Sequence, residues 1–312
     1  MTGTAGMAAG PIMPDPKAEA RHQPQVEETA NGIPLVNITA PSSGGVSRNE
    51  YETFNVPDKG AILNNSYTLS KTELAGYVQG NNNMAERPAK IIVNEVTGAG
   101  STSMDGFLEV AGNRADVVIA NPNGITVNGG GFINTGKAFL TTGKPVYDGE
   151  DHLQRFDITG GDILIEGKGL GGKETGSLAI LSRAVKINAG IWAKDLHITT
   201  GANTVDAKTL EASAIEGKGG RPAFALDTAA IGGMYAGRIT LVGTEKGLGV
   251  NNSGTWSAED NLTLDWNGDL KNSGTIYSKG NTDLRASHLE NDKTIAAGKD
   301  VTISADGHVA KT

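Results

Sequence analysis

The chain of 312 residues has no cysteine, only 11 prolines and 5% aromatic residues. Without cysteine there is no disulfide framework, no thiolate metal site and no cysteine nucleophile. No stretch approaches the roughly 18 consecutive apolar residues of a membrane-spanning helix. The opening Met1-Thr2-Gly3-Thr4-Ala5-Gly6 lacks the basic and apolar regions of a secretory signal. Positive charge is also scarce: 27 Lys and Arg against 35 Asp and Glu give a formal charge of −8. Binding phosphates by counterion release needs clustered cations, so a general nucleic-acid binder is excluded.

What the chain does have is 44 glycines among 38% hydrophobic residues, a composition of short strands and tight turns rather than helical layers. Residues 1–30, with Pro11, Pro14, Pro16 and Pro24 among small and charged residues, predict a disordered linker. From Ile33 short alternating strands begin. Asn252-Ser253-Gly254-Thr255-Trp256 recurs 20 residues later as Asn272-Ser273-Gly274-Thr275-Ile276, and more weakly 19 further on as Asn291-Asp292-Lys293-Thr294-Ile295. Each period holds a second strand, such as Asn261-Leu262-Thr263-Leu264, and earlier segments such as Ile163/Ile165, Val185/Ile187, Leu196/Ile198 and Ile239/Leu241 keep apolar residues at i and i+2. A period near 20 is the signature of a solenoid whose coils stack through parallel ladders. At about 4.8 Å per rung, about twelve coils would make a rod of about 55–60 Å. Periodicity alone also leaves a β-sandwich open. Gly254 and Gly274 are expected at corners needing positive φ, and Asn252 and Asn272 in a stacked amide ladder.

The most specific stretch runs from Asp116 to Thr135, where the apolar Val117-Val118-Ile119-Ala120 meets Asn121-Pro122-Asn123-Gly124-Ile125. Asn at the first position, Pro at the second, Asn at the third and Gly at the fourth suit a type I turn. With Asn31-Gly32-Ile33-Pro34-Leu35-Val36-Asn37-Ile38, Ser43-Gly44-Gly45-Val46-Ser47, Phe54-Asn55-Val56, Asn94-Glu95-Val96-Thr97 and Gly247-Leu248-Gly249-Val250, this segment resembles the two-partner secretion domains of filamentous haemagglutinins and contact-dependent growth-inhibition exoproteins. The resemblance covers residues 31 to 250. It departs at the family's first motif, Asn-Pro-Asn-Leu, where Asn81-Asn82-Asn83-Met84 stands and still reads as a polar turn. A cysteine pair found in part of the family is replaced by Val127 and Gly130.

The resemblance implies an all-β fold: a right-handed parallel β-helix with about 20 residues per coil, an N-terminal β cap and extra-helical hairpins. It implies three parts: a disordered segment 1–30, a secretion domain 31–250 with its cap, and the first haemagglutinin-type repeats over 251–312. Residues 33 to 75, with Pro34, Pro41 and Pro57, are expected to be the cap that hides the terminal ladder edge. It further implies a signal peptide cleaved or omitted, and a cognate outer-membrane β-barrel whose POTRA domains recognise the segment. The product it implies is a monomeric, non-enzymatic protein at the cell surface or in the medium, with a missing downstream region that would meet a host or neighbouring cell surface. The Asn121 turn would either shape the fold or touch the transporter. Ala296-Ala297-Gly298-Lys299-Asp300 opens another coil, so Thr312 is expected to be a truncation point.

Other patterns carry less. Gly131 to Ala138 nearly spells a P-loop, but Ala138 replaces the magnesium-binding hydroxyl and a strand is predicted in place of a helix. Gly167-Lys168-Gly169-Leu170-Gly171-Gly172 has the GxGxxG spacing without a following helix. His22, His152, His197, His288 and His308 show no metal-ligand spacing, no cofactor is expected, and His197 is predicted to face outward. Two rival functions remain. A β-helix adhesin would bind host glycan or protein directly, and a polysaccharide-degrading β-helix would need convergent acids such as Asp265, Asp269, Asp283 and Glu290.

Overall fold

The computed structural model describes residues 10–85, 87–307 and 309–311; residues 1–9 and His308 lie outside them. Among the described residues the fold is all-β apart from two single-turn 3-10 helices, Ala20–His22 and Asn82–Met84. No helix there is long and apolar enough to cross a membrane.

The chain winds as a parallel β-helix with three walls. The first wall stacks Pro34–Asn37, Ala61–Asn65, Phe107–Gly112, Gly130–Ile133, Leu170–Gly172, residues 190–193, residues 233–236, Thr255–Ala258, Thr275–Ser278 and Thr294–Ala297 in parallel register. The second runs from Val46–Phe54 through Ile91–Val96, Ala115–Ala120, Thr135–Thr141 and Ser177–Ser182 to Val301–Ala305. Two long strands, Gly190–Thr200 and Gly233–Gly243, bend from the first wall into the second. The third wall is a nine-stranded sheet from Thr102–Met104 to Val309–Lys311. The first wall therefore counts ten coils among the described residues, fewer than the twelve expected from a uniform period.

Register explains the difference. Partners lie 19 or 20 residues apart at Trp256, Ile276 and Ile295, but Gly131 pairs Gly171 and Ile191 pairs Met234. Two of the long coils carry insertions that join outside the walls: Lys144–Tyr147, Leu153–Ile158, Asn203–Asp206 and Ala212–Ala214 form one antiparallel sheet. A third insertion is the hairpin Ser70–Thr72 with Gly76–Val78.

Alternation fills the interior. The row Ile92, Val117, Ala138, Leu178, Leu196, Ile239 and Leu262 on the second wall faces Ile125, Ile163, Val185, Leu226, Val250 and Leu270 on the third, all buried. Each such Leu or Ile contributes about 1.5–3 kcal/mol on burial, and only a neighbouring coil completes that burial. The alternate residues of these strands point the other way. Val93, Val118, Phe139 and Leu181 on the outer side of the second wall are covered by Phe156, Ile158 and Val205 of the antiparallel sheet. The small hairpin does the same for Leu35, Ile62 and Ala111 on the first wall.

Two expectations need correction. Residues 10–30 are built into the fold: Ile12–Pro14 pairs antiparallel with Val46–Phe54, and Gln25–Glu28 with Pro34–Asn37. Ile12 is buried, and Asp15 accepts from Thr97 Oγ1 at 2.6 Å. These strands cover the first coil, which residues 34–54 themselves form, so the cover lies upstream of the expected 33–75. Prolines misled the reading: Pro11, Pro16 and Pro24 lie outside the two strands, and Pro14 sits at the register shift that ends the first of them. Gly254 and Gly274, in turn, do not adopt positive φ. A Cβ on Gly274 would meet Gly254 O at 2.1 Å and one on Gly254 would meet Gly232 O at 2.2 Å. Close stacking, and not handedness of the turn, requires glycine there. The amide ladder does form, Asn252 Nδ2 donating to Asn272 Oδ1 at 2.8 Å and Asn272 Nδ2 to Asn291 Oδ1 at 2.7 Å.

Candidate functional site: the two asparagine turns

Asn121 follows the strand Ala115–Ala120 and sits, fully buried, at the corner where the second wall turns into the third. Gly124 N donates to Asn121 O at 3.1 Å, closing the four-residue turn. Asn121 Oδ1 accepts from Asn123 N at 2.9 Å, which folds the side chain over its own turn. Its Nδ2 donates to Gly100 O at 2.9 Å and Thr102 Oγ1 at 3.0 Å in the preceding coil. Asn123 Nδ2 reaches Gly98 O at 2.8 Å and Gly100 O at 3.3 Å. On the other side, Asn121 N donates to Thr141 O of the following coil at 2.9 Å. Gly124 has φ +111°, and a Cβ there would lie 3.0 Å from Asp162 O, so the fourth position needs glycine twice over. Ile125 then enters the third wall, buried between Thr102 and Ile163. Only Pro122 and Asn123 face solvent. The motif is a staple across three coils with a two-residue exposed tip.

Asn81-Asn82-Asn83-Met84 is folded on the same plan at a corner between the first and second walls. Asn81 Oδ1 accepts from Asn83 N at 3.0 Å, and Met84 N donates to Asn81 O at 3.1 Å. Asn81 Nδ2 and Asn83 Nδ2 both donate to Ile38 O, at 2.9 and 3.0 Å, in the preceding coil. Met84 is buried in the central core. Both motifs thus use the asparagines at their first and third positions as donors to one carbonyl of the coil before.

The sequence did not single out a charged cluster centred on Glu95 of Asn94-Glu95-Val96-Thr97. Arg48 Nη2 lies 2.9 Å from Glu50 and 3.7 Å from Glu95, while His22 Nδ1 lies 3.0 Å from Glu50. Asp151 brings in the inserted hairpin through Arg21 at 2.6 Å, and the Arg48 guanidinium lies 4.4 Å over the Tyr147 ring. Burial raises the Glu95 carboxyl to about 7, against the pull of Arg48 and with the push of Glu50. The available signal was an acid inside the apolar run Ile91-Ile92-Val93-Asn94-Glu95-Val96.

The remaining candidates disperse. The P-loop-like stretch lies in the strands Gly130–Ile133 and Thr135–Thr141, and Gly167 to Gly172 is a turn leading into Leu170–Gly172. Asp265 lies 3.4 Å from Arg285, Asp269 2.8 Å from His288 and Glu290 3.3 Å from Lys271, each partner one coil away. Asp265 and Asp283 stand on the second wall, Glu290 on the third and Asp269 at the corner between them. Among the described residues no three His, Asp or Glu group as a metal site would. His197 faces outward, half-buried, with Nε2 2.9 Å from Thr199 Oγ1, and burial pushes its pKa down.

The chain has relatives among known proteins. The family described as TPS secretion domain matches residues 11–277. The chain is 43% identical over 298 residues to "Toxin CdiA" of Yersinia pestis, covering 88% of this chain and 9% of that protein. It is 42% identical over 294 residues to "16S rRNA endonuclease CdiA" of Enterobacter cloacae, covering 92% of this chain and 9% of that one. The chain thus spans about a tenth of the length of the curated relatives it matches. The crystal structure of a filamentous hemagglutinin secretion domain superposes with a TM-score of 0.75 at 30% identity, covering 97% of this chain and all of that one.

Proposed function

The chain belongs to the TPS secretion domain family, and from that premise we propose that a dedicated outer-membrane β-barrel recognises it through POTRA domains and exports it to the cell surface. The segment meets those domains extended, so that its alternating strands can add to a partner's sheet edge through backbone hydrogen bonds. It folds outside the cell as a right-handed β-helix, the hand that parallel crossovers adopt almost without exception. Higher identity to the CdiA proteins than to the hemagglutinin domain favours a growth-inhibition exoprotein. The nuclease activities named for such relatives are not assigned to this stretch, for which no catalysis is proposed.

The observation that carries the reading is the cover on the first coil. Antiparallel strands close that coil, and the coils that follow stack on it in parallel register. A covered start lets coils add in one direction, each burying the face of the one before. We assign the two asparagine turns a structural part in this, holding successive coils in register. The test is co-expression of the chain, with a signal peptide, beside its barrel. Folded β-rich protein in the medium only when the barrel is present is the expected result; export without the barrel, or retention in the periplasm with it, would defeat the proposal.

A further inference from the structure

The outward row of the first wall is aromatic and has a gap. Phe107, Gly131, Gly171, Trp192 and Tyr235 are register partners in successive coils. Trp192 and Tyr235 stack at 6.1 Å between centroids and 17° between planes. Phe107 lies over Gly131, where a Cβ would meet its ring at 2.4 Å and Gly171 O at 2.8 Å, so that glycine is required by packing. Gly171 is different. Its φ is not positive, and a Cβ would meet nothing closer than the Phe107 ring at 3.6 Å and Gly130 O at 3.7 Å. The backbone does not need glycine at this rung, yet without a side chain there a cleft of about 320 Å³ stays open between Phe107 and Trp192, with Lys173 and Glu174 at its rim.

We propose that this cleft is a subsite for one hexopyranose ring of an uncharged oligosaccharide. Aromatic faces carry negative potential, which suits the C–H face of a sugar ring. Lys173 offers donors and Glu174 acceptors, and neither takes part in an ion pair or a side-chain hydrogen bond with the described residues. Their opposite charges cancel, which selects an uncharged ring. An apolar side chain in the cleft would strip water from both without replacing it, whereas sugar hydroxyls replace it. Tyr235 supports the far face of Trp192 and holds the wall upright. This inference stands on the cleft alone and is independent of the export reading.

The experiment uses the 312-residue chain on an array of uncharged oligosaccharides of glucose, galactose, mannose and N-acetylhexosamines. Hits are then titrated while the indole N–H of Trp192 is followed by NMR. Trp256 and Trp266 are buried, so a shifting indole reports on the cleft. A saturable shift is expected, weakened at least about tenfold in Gly171→Val, the loss expected when about 1.4 kcal/mol of ring contact is blocked. Gly171→Val and Gly171→Ala are expected to keep or raise Tm, because a β-branched or methyl side chain in a strand with room for it costs nothing. Tyr277→Ala, two rungs beyond Tyr235, should bind as the parent does. No saturable shift from any sugar would overturn the proposal, as would equal binding by both Gly171 variants and the parent. A shift caused only by N-acetyl-phenylalaninamide would assign the cleft to a protein side chain and overturn it as well.

Discussion

Asn121 engages both amide hydrogens and its side-chain oxygen within the fold, so shortening it strands Thr102 Oγ1 and the turn's own N–H. Asn121→Ala should cost about 2–3 kcal/mol in urea unfolding, the range for buried groups left without partners. Asn121→Asp keeps the acceptor but loses both donors and should do no better. Pro122 touches solvent, and Pro122→Ala should cost less than about 1 kcal/mol. The parallel turn gives the contrasting case. Asn81 is already extended, at φ −84° and ψ 116°, as a residue before proline must be. Asn82 begins a 3-10 turn, where φ near −60° suits a proline ring. Asn82→Pro should therefore be neutral or stabilise by up to about 1 kcal/mol. A loss of more than that would mean the two turns are not built alike.

The cluster around Glu95 locks four elements together: the Ala20–His22 turn, the strands Val46–Phe54 and Ile91–Val96, and the hairpin that carries Tyr147 and Asp151. Glu95 Oε2 has no hydrogen-bond partner, and its folded pKa of about 7 exceeds the 4.5 of a free side chain. The native state therefore holds an extra proton between those values. Its stabilising contribution is complete below about pH 4.5 and is lost as pH rises through 7. From a shift of this size the loss is at most about 3 kcal/mol. Glu95→Gln should remove that slope, so that denaturation midpoints of variant and parent converge in acid and separate above pH 7 with the variant more stable. Parallel curves across the range would show that Glu95 does not hold the proton. None of this was legible beforehand, since strands far apart in the chain bring the charges together. Elements with local signatures were legible. The pairs Ile163/Ile165 and Leu196/Ile198 marked inward faces correctly because alternation is a property of a single strand. The Asn121 turn was readable because its hydrogen-bond closure lies within four residues, but its contacts to Gly98 and Gly100 depend on coil register. Gly274 was recognised as obligatory for the wrong cause, because a sequence shows that a turn is near and not that another backbone passes 2.1 Å from where its Cβ would be.

At the scale of the molecule, the 20-residue period is written only where nothing is inserted, and the long coils hid the count because their extra strands pair with each other outside the walls. The upstream cover was hidden too, since a short antiparallel strand such as Gln25–Glu28 sets only Val26 against the core and so has no alternation to display. Its role follows from what it occupies. Gln25–Glu28 and Ile12–Pro14 pair with Pro34–Asn37 and Val46–Phe54 on the side where no earlier coil stands. Removing residues 1–28 leaves those two ladders with free N–H and C=O rows, and also uncovers the core that Ile12 seals. Free edges of regular strands template pairing with other chains. The shortened chain should therefore self-associate more strongly than the parent as concentration rises, seen as a steeper gain in mass in light scattering after gel filtration. The coils near Trp256, many rungs away, should keep their hydrogen-exchange protection, because a stacked repeat couples chiefly to its neighbours. A truncated chain that remains monomeric at high concentration would mean that the first coil protects its own edge. If the truncated chain instead unfolds throughout, the cover is the nucleus on which the remaining coils depend, and growth from that end becomes a requirement of folding.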